Sequence, residues 1–392
     1  MTALITGVVA AAPAAQAAGA IDPSQFVLTR VSTSSAVSKL DALLPNATVE
    51  QVLADSPSAA VPMSSPPTPI TGFSTGFRWA GTDNTTRDWY PQGVTTSSDA
   101  YTDGLYAGRK LMIVAWHAED GNDANLDQNV RISLVDRTDA AHPVYRHILL
   151  VVPYMSGTTP NFRRVVGVHA GGISWYGDYL YVTSSASTAP DGGGGLRVFD
   201  LRHIWHLSTA KTTVGLDADG SYYAGSYEYA VPQVLAYTAP SSQAGMFDSI
   251  GFDRSTSPDS IVVSETRSFD TTAGAHVVRW PIDYTNRELV SRAGKATATQ
   301  ARLSTVRYLQ GAVSYNGTWY LTAATIANAD HYGSDMYSWR PDEYTHRYTN
   351  TLIHGTNDLS YDPLTDLIWT EAETPTNGTD RFVYSVRRTA FP

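Results

Sequence analysis

The 392-residue sequence contains no cysteine, which excludes disulfide bonds, thiolate metal sites and a cysteine nucleophile. It has only four lysines, and 27 basic residues against 37 acidic ones give a net charge of −10. Without a basic stripe, the sequence lacks the electrostatic footprint of a nucleic-acid-binding protein. No apolar run is long enough to cross a bilayer. We therefore expect neither nucleic acid nor a membrane as a partner.

The first residues have the pattern of a secretory signal peptide. A short apolar run, Ala3 to Ala14, precedes Ala15, Gln16 and Ala17, which fit the small-x-small rule for cleavage. The alternative is an Ala-rich tail without structure. The pattern predicts a signal peptide over residues 1–17 and a secreted, extracellular protein, which a large core can stabilise without disulfides.

Residues 18–70 form an N-terminal extension with weak helical spacing over residues 34–44 and 48–55. Asn46 and Thr48 are the candidate N-caps of the second helix. Residues 56–69 are rich in serine and proline, and consecutive prolines fix φ and remove hydrogen-bond donors. This composition predicts an extended linker.

From residue 71 to the end, short β-rich runs recur with constant internal spacing. A branched apolar anchor follows a small or polar residue and precedes an aromatic residue, a turn and an apolar strand. Four copies have the anchors Ile173, Ile250, Val313 and Leu359, and a looser copy has Val94. A second apolar element starts 23 residues after three of these anchors, 26 after Ile250 and 37 after Val94. Its copies start at Arg131, Leu196, His276, Met336 and Phe382.

Tandem units with polar turns and no long helix predict an all-β fold, a single β-propeller. Five blades are detectable, and seven are possible if some copies have diverged. A β-sandwich is the alternative, but it gives no reason for the constant spacing. We expect residues near Phe73 to complete the last blade, and a monomer.

In a propeller the segments that lead into the inner strands meet at one mouth of the channel, and so do the loops between strands two and three. The candidate catalytic residues there are His169, Tyr90 and Arg164. The candidate substrate-binding residues are Trp89, Gln92, Asp248, Arg307, Tyr308, Gln310, His354 and Asn357. The second set of loops adds His117, Glu119, Asp120, Glu265, Arg267, His331, Glu371 and Glu373.

These residue types suit a sugar that carries a carboxylate. Sugar rings stack on aromatic faces, amides bond hydroxyls, and an arginine fork holds the acid group. His169 has an imidazole that can exchange protons near neutral pH. Without a ligand, the same residues would be a polar channel lining, with His169 bonded to the backbone and Trp175 and Trp369 in inter-blade packing.

We expect no cofactor, with calcium as one possibility. The acidic loop at residues 119–127 offers oxygen ligands but lacks the EF-hand spacing. No other metal site is indicated. Classical glycosidase chemistry needs two facing carboxylates. Only Asp248 and Asp358 lie at predicted inner-strand starts, with Glu265 and Glu371 on predicted loops as partners.

Three segments carry a family resemblance: Trp89 to Gly93, His169 to Trp175, and Gly195 to Asp200. They resemble secreted propeller proteins of saprophytic microbes and are similar to rhamnose–glucuronate lyases, which release terminal rhamnose from gum arabinogalactan. The resemblance implies a polysaccharide lyase. That family is described as seven-bladed, whereas this sequence shows five repeats. The five-bladed furanosidases fit less well, because Gln92 and Gln310 stand where those enzymes carry acidic residues.

The leading hypothesis is a secreted carbohydrate-active enzyme that acts on a uronate-containing polysaccharide. A lyase is the first choice of reaction, and a glycoside hydrolase is the second. In a lyase, Arg164 and Arg307 would neutralise the uronate, and His169 would move a proton with Tyr90 or Tyr308 as its complement. The alternatives are a non-catalytic, lectin-like glycan-binding propeller and an interaction scaffold.

Overall fold

A computed structural model describes residues 19–118, 129–185, 193–267, 274–324, 333–373 and 381–392. Within these ranges the chain forms thirty strands and three short α-helices. None of the helices in these ranges has the length and hydropathy needed to span a membrane.

The N-terminal part contains six short strands and two helices, which confirms the helical spacing. Thr48 caps the second helix in a capping box with Gln51, which settles the choice between the two candidate caps. The elements are β1 Gly19–Ile21, β2 Val27–Ser32, α1 Ser34–Asp41, β3 Asn46–Ala47, α2 Val49–Ala54, β4 Ser58–Ala59, β5 Val61–Met63 and β6 Phe73–Arg78.

Five antiparallel blades follow. Blade 1 and its flanking elements are β7 Trp89–Thr96, α3 Ser97–Ala100, β8 Leu111–Ala118, β9 Val130–Asp136, β10 Val144–Ser156 and β11 Thr159–Arg164. Blade 2 consists of β12 Ile173–Tyr176, β13 Tyr179–Ser184, β14 Gly195–Asp200 and the outer strand β18 Tyr229–Thr238. Three short strands lie outside the blade, between β14 and β18 in the chain: β15 Ile204–His206, β16 Val214–Leu216 and β17 Tyr222–Ala224.

Blade 3 has β19 Ser249–Asp253, β20 Ser260–Ser264 and β21 Ala275–Pro281, with β22 Lys295–Thr297 outside it and β23 Gln300–Ser304 as the fourth strand. Blade 4 has β24 Leu309–Tyr315, β25 Thr318–Ala323, β26 Gly333–Arg340 and β27 Tyr344–Ile353. Blade 5 has β28 Thr356–Asp362, β29 Leu367–Ala372 and β30 Phe382–Arg387, and β6 is its fourth strand.

The inner strands β7, β12, β19, β24 and β28 contact one another in this order, and β28 returns to β7. All five predicted anchors lie on these inner strands, and the second repeated element forms the third strand of each blade. The N-terminal β6 pairs with the C-terminal β30 and closes the ring. The prediction of a five-bladed propeller closed by residues near Phe73 is confirmed.

The extension is bound along its length to the outer edges of the blades. In chain order, β1 pairs with β23 of blade 3, β2 with β18 of blade 2, β4 with β10 of blade 1, and β5 with β6 of blade 5. We call residues 19–63 the belt. The predicted linker is extended, as expected, but two of its stretches, β4 and β5, are strands held against blades 1 and 5.

Glycines bring the inner strands into backbone contact near the axis. A Cβ at Gly93, Gly172, Gly251 or Gly311 would lie 2.2–2.8 Å from backbone atoms of the next inner strand. Cβ atoms do not approach backbone this closely, so each position requires glycine for its close approach. We call these four residues the glycine collar.

We expect Gly172→Ala to lower the free energy of unfolding by about 1–3 kcal/mol, because its Cβ would lie 2.4 Å from the backbone nitrogen of Ile250. Gly245→Ala is the control, since no atom lies within 4 Å of its Cβ position. Urea unfolding of both variants measures the effect. Equal stability of the two would contradict the tight collar.

Candidate functional site

Three rings pack side by side at the mouth of the channel, and we call them the stack. Tyr90 lies opposite His117 across β7 and β8, with ring centroids 6.0 Å apart and nearly parallel. His169, exposed just before β12, has its ring 4.4 Å from that of His117. Burial, and then the nearby charge of His169, lowers the pKa of His117 to about 3. His117 is therefore neutral at neutral pH, beside an exposed imidazole.

Two amides and a carboxylate adjoin this stack. The Nδ2 group of Asn357 donates to Oε2 of Glu373 at 3.1 Å and lies 3.5 Å from Oε1 of Gln92. Gln92 is 2% exposed, and its Nε2 has no hydrogen-bond partner in the described part of the chain. A buried amide donor without a partner costs about 1–3 kcal/mol, so this position favours an additional acceptor such as water or a ligand hydroxyl.

Glu371 is the most unusual group of the site. It lies on β29, not on a loop as expected, and its side chain is fully buried. Neither of its carboxyl oxygens has a hydrogen-bond partner among the described residues. Burial, and then the charges of Glu373 and Asp358, raises its pKa well above the ordinary value, although Arg381 opposes the shift. The raised pKa favours the protonated form of Glu371.

Arg381 was missed by the sequence analysis. Its guanidinium lies 4.6 Å from the ring centroid of Tyr90, and its Nε donates to the carbonyl oxygen of Glu373 at 2.8 Å. Its buried Nη1 has no partner within the described ranges. Its place in the sequence, directly before the third strand of blade 5, could have indicated it, because the loops between strands two and three lie at this mouth.

Asp248 connects the stack to the carboxylates. It lies directly before β19 and accepts a hydrogen bond from Oγ1 of Thr266. Burial raises its pKa, Thr266 and the charge of His169 oppose the rise, and Glu373 adds to it. We call the eight residues of this site the cradle: Tyr90, Gln92, His117, His169, Asp248, Asn357, Glu371 and Glu373, with Arg381 beside them.

Backbone strain occurs at the same mouth. Ala170, Tyr308 and Asp358 have φ values of 55°, 59° and 37°, in the left-handed region that residues other than glycine rarely adopt. Each lies at or just before an inner strand. Strained backbone of this kind is concentrated at functional sites in proteins.

Two expected site residues have other contacts. The ring of Trp89 packs against the guanidinium of Arg131, 4.6 Å from its centroid, and against the ring of Tyr227, 6.2 Å away, so it is not available as a platform for a sugar. Nη2 of Arg164 donates to the carbonyl oxygen of Thr212 at 3.2 Å. The expectation of a single cleft that includes Trp89 is therefore corrected.

The remaining expected residues lie at the same end of the inner strands. Arg307, Tyr308 and Gln310 are partly exposed around the start of β24, and His354 is exposed between β27 and β28. The carboxyl group of Glu265 lies 2.6 Å from Nδ1 of His276 and 2.9 Å from Nη2 of Arg267. Glu119, Asp120, His331 and the calcium candidate at residues 119–127 lie outside the described residues.

One other group has the composition of a metal site. Ligand atoms of Asp55, His206 and Glu228 lie within 4.8 Å of one another. Nη2 of Arg146 lies 3.6 Å from Oδ2 of Asp55 and also pairs with Glu228. Because the arginine already balances these acids, the group is an ion-pair network.

No protein-family model and no curated protein matches the chain. Among solved structures it is similar to the GH43_1 enzyme from Xanthomonas citri complexed with xylotriose, at 8% identity over 77% of this chain and 88% of that one, with a TM-score of 0.35. It is also similar to a subtype N11 neuraminidase-like protein of the flat-faced bat isolate H18N11, at 11% identity over 86% and 98% of the two chains, with a TM-score of 0.38. TM-scores this low carry no argument, so the propeller assignment rests on the strand pairing.

Proposed function

We propose that this protein is a carbohydrate-active enzyme that hydrolyses glycosidic bonds in the cradle, with Glu371 as the general acid. The observation that carries the proposal is the buried carboxyl group of Glu371, which has two unpartnered oxygens and a raised pKa. A carboxylic acid kept neutral near pH 7 is what protonation of a leaving oxygen requires.

Hydrolysis also needs a second carboxylate. Glu373 is only partly buried and is held by the amide of Asn357, and its charge helps to keep Glu371 protonated. In the proposed reaction Glu371 gives its proton to the glycosidic oxygen while the C–O bond breaks. Glu373 takes a proton from the attacking water, whose oxygen bonds to the sugar carbon. The raised pKa of Glu371 supports its role as the acid of this pair.

The residue types of the cradle favour a neutral glycan. Tyr90 offers a ring, and Gln92 and Asn357 offer amides to sugar hydroxyls. Glu373 is the carboxylate that would face a bound sugar, and one arginine, Arg381, lies beside it, with its Nε already donating to a backbone carbonyl. A uronate would therefore meet the charge of Glu373 as well as one guanidinium.

A lyase that acts on uronate is the second candidate, and the stack of His117 and His169 favours it. The exposed His169, whose ring lies 4.4 Å from that of His117, offers an imidazole, the side chain most used to move protons near neutral pH. Tyr90, the third ring of the stack, is a further proton donor.

Product analysis distinguishes the candidates. The full chain is incubated separately with arabinan, xylan, galactan, gum arabic and a pectic polymer. New reducing ends on the neutral polymers without ultraviolet absorbance are the expected result. The absorbance of an unsaturated uronate would instead support the lyase. Retention on a polymer without any product would overturn both and indicate a lectin-like protein.

We also propose that the protein is exported, on the evidence of its N-terminal sequence alone. The expected mature N-terminus is at or near Ala18, one residue before β1 of the belt. N-terminal sequencing of protein recovered from culture medium tests this. An intact Met1 on protein retained inside the cells would contradict it.

A further inference from the structure

A cavity of about 630 Å³ opens at the end of the blades opposite the cradle. It lies between the segment that joins β7 to β8, the start of α2 and the residues that follow β14. The inner strand β7 runs from Tyr90 at the cradle to Thr96, directly before this segment. A volume of this size lies within the range of about 300–1,000 Å³ that is usual for small-molecule sites.

Two tyrosine rings in the cavity wall are fixed in position. Tyr106 packs on Trp175 with ring centroids 4.8 Å apart, and its hydroxyl donates to Oδ1 of Asp178 at 2.8 Å. The ring of Tyr101 lies 5.8 Å from that of Tyr106, at an angle of 44°. Because these rings are already ordered, a ligand that stacks on them loses little side-chain entropy. Leu105 and Val49 add apolar surface.

The acidic side chains at the rim of this cavity are less well paired than its arginine. Arg202 is held by Asp200 through Nε at 2.9 Å and Nη2 at 2.7 Å, so its charge is balanced. Glu50 and Asp103 are exposed acids at the rim. One oxygen of Asp103 accepts from the backbone N–H of Leu105, which leaves the other oxygen as an acceptor. Carboxylates of this kind accept bonds from hydroxyl groups and repel anions.

We propose that this cavity is a second carbohydrate-binding site, which takes a short neutral oligosaccharide. The sugar stacks its C–H face on Tyr101 and Tyr106 and donates hydroxyls to Glu50 and Asp103. Binding here does not depend on the proposed cleavage in the cradle. On a polymeric substrate, two sites on opposite faces of one ring raise the avidity of the enzyme for the polymer.

The experiment is calorimetric titration of the full-length Glu371→Gln variant, which prevents turnover, with xylotriose, cellotriose and maltotriose. At least one of these sugars is expected to bind, and Tyr101→Ala is expected to weaken its binding to the cavity by about tenfold, the loss of one aromatic contact. Because Tyr101 also packs against Tyr106, Asp103→Lys at the exposed rim is the second variant. Tyr284→Ala, an exposed tyrosine outside the cavity lining, is the matched control.

Sugar binding that neither cavity variant weakens would overturn the proposal, as would no binding of any of the three sugars. Tighter binding of a glucuronate-containing trisaccharide than of the neutral ones would also overturn it if Tyr101→Ala weakens that binding. The proposed hydrolysis is tested separately. If the wild-type chain cleaves no polymer but Tyr101→Ala still weakens sugar binding, the hydrolysis is contradicted and the cavity site is supported.

Discussion

Glu371→Gln should reduce the turnover of the cleaved glycan by about 10²–10⁴-fold, as is usual for the loss of a general acid. Glutamine has the same shape as the protonated acid but has no proton to give to the leaving oxygen. Since Glu371 is fully buried and has no hydrogen-bond partner among the described residues, the substitution breaks no observed contact. The substrate KM and the unfolding temperature should therefore change little. Steady-state kinetics and thermal unfolding measure the three quantities.

The control is Glu343→Gln, at an exposed glutamate in the turn between β26 and β27, and its turnover should match that of the wild type. The pH profile adds a second test. Because the pKa of Glu371 is raised, wild-type activity should persist above the ordinary range of a glutamate and fall only as the pH passes that raised pKa. Unchanged turnover in Glu371→Gln would remove this residue from the mechanism and favour the histidine pair.

Asp358→Ala should lower the free energy of unfolding by about 2–5 kcal/mol. Its buried Oδ2 accepts the backbone N–H groups of Val94 and Ile173, each at 3.1 Å, so one carboxyl joins the inner strands of blades 5, 1 and 2. Alanine would leave two buried donors without partners, and each costs about 1–3 kcal/mol. Denaturant unfolding measures the loss.

Asp358→Asn distinguishes this explanation from a loss of charge. Burial raises the pKa of Asp358 well above the ordinary value, and an asparagine carbonyl can accept the same two bonds without a charge. Its cost should be less than about 1 kcal/mol, like that of Asp88→Ala at an exposed aspartate. An asparagine variant as unstable as the alanine variant would show that the aspartate is stabilised by charge instead.

The blades could be predicted because each one repeats the same local pattern. Ile173, Ile250, Val313 and Leu359 are branched residues at equivalent places before a turn, and every copy requires the same burial. Constant spacing to the third strand follows from strand and turn lengths, which the sequence shows directly. The closure by β6 could be anticipated because the last repeat lacks a fourth strand.

The cradle was predictable only in part, because β-bulges decide which way its side chains point. Trp89 and Val94 are five residues apart, so they would lie on opposite faces of a regular strand, yet a bulge between Pro91 and Gly93 places both in one apolar cluster. A second bulge, between Asn357 and Ser360, sets the pairing of Asn357 with Glu371. A shift of one residue turns the following side chains to the opposite face of the sheet.

The belt implies an order of folding during synthesis. Residues 19–63 leave the ribosome first, but the strand edges that they cover belong to blades 1, 2, 3 and 5, which are made later. The partner of β6 is β30, the last strand of the chain. Contacts so distant in sequence form late. The ring therefore stays open until β30 has been made, and a chain cut short before β30 would leave the edges of β6 and β29 exposed to other chains.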